Sequence, residues 1–238
     1  MKILSVHFIL FVILQSCSTD VENNENNDYI STALVMKMKG TDSPLNPDNP
    51  YDNYGQLYLR LEDAFLNRGN LPNAYQDLVE MLHSLVCTDT TDVLLSSTVS
   101  HYLNRMQLDT LQSQFPDYTD YIERASYHTV KEKYYMRELM KNLSYLYETE
   151  TSYSAHYAVI TTIESKVTTD VLMTSSEREN IYVLTSILRH SIFAKKKRPK
   201  KNTDPEWDLL IVNFMGSAAG LRYSSFSAIT GALLLEAY

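Results

Sequence analysis

Only six glycines and seven prolines interrupt the 238 residues of this chain, and that scarcity constrains the fold more than any single motif. An all-β domain of this size reverses direction every ~8–12 residues and needs a turn former at each reversal. Helices joined by a few turns need far fewer. With 44% hydrophobic residues, the chain has enough apolar material to build a core in one domain. The expected class is all-α, an irregular multi-helix bundle of about eight helices.

Apolar periodicity locates those helices. Leu57, Leu61, Ala64 and Phe65 recur at helical spacing after Tyr51, and Gly69-Asn70 ends that run. Asn73 to Cys87 carries Leu78, Leu82, Leu85 and Val86 on one face. Thr91-Asp92 is placed to cap a third helix running to about Leu111, with Leu94, Val99, Leu103 and Met106 as its buried stripe. A short helix is expected from Tyr118. Val130 to Tyr147 reads as a long one, with Tyr134, Leu139, Leu143 and Leu146 buried, and Ser154 to Thr168 as another. Ser176-Glu-Arg-Glu179 has capping-box spacing ahead of Ile181, Leu184, Ile187 and Leu188, so a helix is expected to open there.

At the N-terminus, Lys2 is followed by an apolar run from Ile3 to Leu14, then by Leu14-Gln15-Ser16-Cys17. The run is too short for the ~20 residues that span a bilayer as a helix, and its order is that of a signal peptide. The segment ending in Cys17 resembles a bacterial lipobox, which implies cleavage after residue 16 and lipid on Cys17. Ser18 to Asp28 contains four acidic residues and four asparagines, a composition that cannot bury enough apolar surface to fold. It resembles the acidic signal that sends lipoproteins of Bacteroidota-type bacteria to the cell surface. Residues 17–50, which include three prolines between Lys39 and Pro50, are expected to form a lipidated tether, and residues 51–238 a single helical domain.

A formal net charge of −8 argues against nucleic acid as a partner. One basic run stands out: Lys195, Lys196, Lys197, Arg198, Lys200 and Lys201 form a candidate anion-binding cluster, or a solvated loop following a helix C-terminus, where cations favour the macrodipole. Beyond it, Glu206 to Gly220 and Phe226 to Leu235 are apolar and rich in small residues. Gly216, Ala219 and Gly220 facing Ala228, Gly231 and Ala232 would let two short helices pack closely as a C-terminal hairpin. A core hairpin is expected; a membrane-perturbing one is the alternative.

No familiar catalytic or metal motif is present. His83, His101, His128, His156 and His190 are spread one per helix, and no nucleophile elbow, phosphate loop or dinucleotide fingerprint occurs, so no cofactor or metal is expected. Cys87 is expected to be a buried small hydrophobe, since Cys17 is committed to lipid; His83, one helical turn away, is the only base a nucleophile reading offers it. Glu62-Asp63 and Glu148/Glu150 read as solvated carboxylates. Tyr51, Tyr54 and Tyr58 share a helix face, with Tyr145, Tyr147, Tyr153 and Tyr157 as further candidates for an aromatic surface or for helix packing.

Asn49-Pro-Tyr-Asp-Asn-Tyr-Gly55 resembles the Asn-Pro-Tyr-Asp-x-x-Gly opening of helical lipoproteins of Bacteroidota whose activity is uncharacterised, and Trp207 with the small residues after it looks like their C-terminal segment. Where that family carries a histidine shortly after the glycine, this chain has Tyr58. The resemblance implies an envelope address and a helical fold, and no catalytic residue. The expected function is an outer-membrane lipoprotein, surface-exposed and held by lipid on Cys17, that binds a protein or envelope partner. The alternative is an enzyme with an unfamiliar helical site, for which a polar pocket gathering His and Glu from separate helices would be the mark.

Overall fold

The structure, a computed structural model, describes residues 43–66, 71–88, 101–114, 117–149, 152–197 and 206–238. Cys17, the leader and the acidic segment lie outside the described residues, as do Thr91-Asp92, Leu94, Val99, Arg198, Lys200 and Lys201. Among the described residues there are nine helices and no strand. They are α1 (Asp52–Leu66), α2 (Tyr75–Thr88), α3 (Arg105–Gln114), α4 (Tyr118–Arg124), α5 (Val130–Glu148), α6 (Tyr153–Thr169), α7 (Ser175–Lys197), α8 (Glu206–Leu221) and α9 (Ser225–Ala237).

Helix α7 is the axis, packed by α1, α5, α6, α8 and α9. The expected face of Ile181, Leu184, Ile187 and Leu188 is buried, but so is every residue from Ile181 to Ile192, including Thr185, Ser186, Arg189, His190 and Ser191. Its polar side is covered by α1 and by the segment before it. The helix also opens differently from expectation. Thr174, not Ser176, forms the cap: Glu177 N donates to Thr174 Oγ1 at 3.2 Å, and Thr174 N donates back to Glu177 Oε2 at 2.7 Å. Glu179 is thereby left free of capping. A second capping box, Thr129 with Glu132, starts α5.

The C-terminal hairpin is a core element. Both of its helices are buried over most of their length. A Cβ on Gly216 would overlap the carbonyl of Gly231, and one on Gly220 would overlap that of Ser227, so glycine is required for this backbone approach. No described helix is long and apolar enough to cross a membrane.

Several burial expectations are corrected. Met106 is 73% exposed and Tyr134 49% exposed, while Leu103, Leu139, Leu143 and Leu146 are buried as expected. The short helix α3 begins after Leu103 and turns Leu108 and Leu111 inward instead of Met106. In α5 it is Tyr135 that packs inside; its hydroxyl donates to Asp170 at 3.0 Å. The folded body also begins upstream of Tyr51. Asn46 and Asn49, assigned to the tether, are buried and bonded to α6 and α7.

Candidate functional site

Two polar regions lie on opposite ends of one chemical scale, and the first belongs to the fold. Arg189 of α7 is fully buried and donates to both carboxylate oxygens of Glu164 in α6, at 2.6 and 2.8 Å, to Asp52 at the start of α1, and to the Pro44 carbonyl at 2.6 Å. Remaining lone pairs on Glu164 are filled by Asn46 (2.6 Å), Asn49 (2.7 Å) and Thr185 (2.8 Å). Gly55 N donates to Ser186 Oγ at 3.0 Å, and a Cβ there would overlap the His190 ring and lie 2.6 Å from the Ser186 carbonyl. Asn49, Asp52 and Gly55, the polar and glycine positions of the opening motif, thus clamp the segment before α1 onto α6 and α7. Buried charges that find their partners hold such a junction in one arrangement.

A second buried node removes one candidate anion ligand. Because α7 continues to Lys197, Lys195 is helical and buried, and it pairs with Glu62 of α1 at 2.9 Å and with Glu236 of α9. Burial alone would lower its pKa, but Glu236 and Glu62 more than offset that and raise it. Lys195 is not available to an external anion, and Glu62 is not a solvated carboxylate. Tyr58 donates to Glu236 at 3.3 Å and accepts from Asn213 at 3.1 Å; burial, followed by the two glutamates, drives its pKa well up. The side chains of Lys196 and Lys197 lie outside the described residues.

The other candidates disperse. Cys87 is exposed, not buried; its Sγ is 3.6 Å from His83 Nε2, and His83 Nδ1 is 3.1 Å from the Tyr102 hydroxyl. Tyr147 packs on His156 and Trp207, and Tyr153 on Phe193, contacts that join helices; Tyr153 also packs on Tyr157 within α6. Among the described residues no group of three or more His, Cys, Asp or Glu side chains is arranged to hold a metal.

What the fold does create is a polar pocket of about 490 Å³. It is lined by Tyr54 from α1, by Tyr127 and His128 from the turn before α5, by Ser176, Glu179 and Asn180 from the first turns of α7, and by the α8–α9 turn from Leu221 to Phe226. Glu179, released from capping, accepts from Ser225 Oγ at 2.9 Å and from the Tyr51 hydroxyl at 3.3 Å. Burial and then this carboxylate raise the pKa of Tyr51 and of Tyr54. No cation lies within ion-pair distance of Glu179 among the described residues. Across the same lining, Arg222 is exposed and places its guanidinium 5.5 Å from the centre of the Tyr127 ring and 5.6 Å from that of Tyr223. It has no carboxylate partner among the described residues.

The pocket walls are held from behind. Tyr127 and Tyr121 share a hydrogen bond at 2.8 Å; Tyr223 accepts from Gln107 at 2.7 Å and stacks on His101 with centroids 3.7 Å apart. Glu132 receives Asn180 at 2.6 Å and the Thr129 amide at 2.6 Å, and it stands 3.6 Å from His128 Nδ1. Burial would raise the Glu132 pKa, but these donors, His128 first, outweigh it and lower it. His128 Nε2 is buried without a partner. Tyr127 and Arg222 also line a second pocket of about 220 Å³ of mixed character, with Leu103, Met106 and Leu111 beside Gln107, Gln114 and Arg124. Sequence reasoning passed over this site. Its residues come from four separated segments with no shared period, and Glu179 carried a capping signal instead.

No family model, curated protein or solved structure matches this chain.

Proposed function

We infer that this chain is a lipoprotein of the bacterial outer membrane, anchored through lipid on Cys17 and surface-exposed, and that it acts as a binding module with the polar pocket as its ligand site. One observation carries the binding reading. Glu179 and Arg222 line a single preorganised pocket, and neither has an ionic partner among the described residues. Clefts of a few hundred Å³ with a few convergent polar groups are where small ligands bind. The address rests on the order of Lys2, the apolar run, Cys17 and the acidic segment. Burial of the α8–α9 hairpin argues against a membrane-perturbing tail.

NMR of the full chain against a panel of small polar molecules tests the site. Ligand-induced shifts are expected to gather at Tyr54, His128, Glu179 and Arg222; shifts scattered over the surface contradict the reading. For the address, intact mass of membrane-extracted protein is expected to begin at Cys17 with added acyl mass, and Cys17→Ala to lose it. An unlipidated wild-type protein contradicts the anchor.

The same pocket supports an enzyme as the second reading. His128 has a carboxylate beside one ring nitrogen and no partner on the other, the arrangement of an oriented general base. Turnover of a bound ligand that is lost in His128→Gln with binding retained would favour it.

A further inference from the structure

We propose that the pocket takes a small zwitterion, an α-amino acid or dipeptide with both termini free, its ammonium held at Glu179 and its carboxylate at Arg222. This rests on the pocket being a ligand site. A neutral ligand gains from neither charge, and a simple anion or cation would pair with one while meeting like charge at the other. A ligand carrying both charges satisfies both.

The surroundings sort the two ends. Arg222 itself is fixed on two tyrosine faces and presents a planar donor fork, which suits a carboxylate in bidentate geometry. At the other end, the oxygens of Glu179 already take Ser225 and the Tyr51 hydroxyl, and the Tyr51 and Tyr54 rings lie 6.3 Å apart beside it. Carboxylate and aromatic faces together suit an ammonium group.

The experiment is calorimetric titration of the full-length protein with alanyl-leucine, N-acetyl-alanyl-leucine and alanyl-leucinamide, using wild type, Glu179→Gln and Arg222→Ala. Blocking either end is expected to weaken binding to wild type roughly 10- to 100-fold, the range for a lost charge-assisted hydrogen bond. Glu179→Gln should weaken the free dipeptide similarly yet leave the acetylated one unchanged, and Arg222→Ala should do the same with respect to the amide. Thermal melts of both variants confirm that they fold. Equal affinity for all three peptides, or binding of none, overturns the zwitterion. If none binds while other small molecules still shift Tyr54 and Arg222, the ligand-site reading survives and only the ligand class falls. If nothing binds there, both fall.

Discussion

Arg189 and Arg222 are the same side chain in opposite circumstances. Arg189 is wholly buried between Asp52 and Glu164, with its other donors used on the Pro44 carbonyl, and the lone pairs it leaves are filled by asparagine and threonine. Arg222 is exposed, lies against two tyrosine rings and has no carboxylate among the described residues. Taking a charge out of water is tolerable when the protein supplies all its partners, and such a group then serves the fold. A charge that the protein positions without a partner is available to something else. The polar content of this molecule therefore divides into buried clamps and pocket-lining charges without ionic partners among the described residues.

The sharpest way to break that division is to remove Arg189. Arg189→Ala strands two carboxylates in the core and is expected to lower unfolding free energy by about 3–5 kcal/mol, measured by denaturant titration. A loss below ~1 kcal/mol would mean that the clamp is ornamental. His190, on the same helix, gives the clamp a pH dependence. Burial pushes its pKa down to about 4 from an ordinary 6.5, so between those values the unfolded chain holds a proton that the folded chain refuses. The stability contributed by neutral His190 is present above pH 6.5 and is lost as pH falls through about 4, by up to ~3 kcal/mol. His190→Asn should flatten that part of the pH profile. Gly55→Ala forces a methyl group against His190 and Ser186 and is expected to cost about 1–3 kcal/mol, read as a lowered thermal midpoint. On the pocket side the expected effects are smallest: Arg222→Ala should change stability by no more than about 0.5 kcal/mol, as for exposed positions generally.

The division also explains what the sequence displays and what it hides. Helices α5 to α7 and the small-residue hairpin were legible, because each buries an apolar stripe or requires glycine contact that leaves a local periodic trace. The clamp was not. Thr185, Ser186, Arg189, His190 and Ser191 are polar and carry no apolar period, and only the tertiary docking of Asn46, Asn49 and Asp52 makes that side of α7 internal. Lys195 was read with the basic run for the same reason, since the partners that bury it, Glu62 and Glu236, are distant in sequence. Glu179 sits two residues beyond the true box partner Glu177, so its capping signal pointed away from the pocket. Arg222 falls between the two apolar arms, outside any periodic pattern. A pocket assembled from the ends of helices carries no period of its own, which is why it emerged only with the fold.

The measurement closest to the heart of this division is equilibrium denaturation of the full-length protein carrying Glu179→Gln and Arg222→Ala together, beside wild type without ligand. Unfolding free energies that agree within about 0.5 kcal/mol are expected, because those charges do not hold the fold. A loss of ~2 kcal/mol or more would contradict this, making both residues part of the scaffold and leaving the pocket without its claim to a ligand.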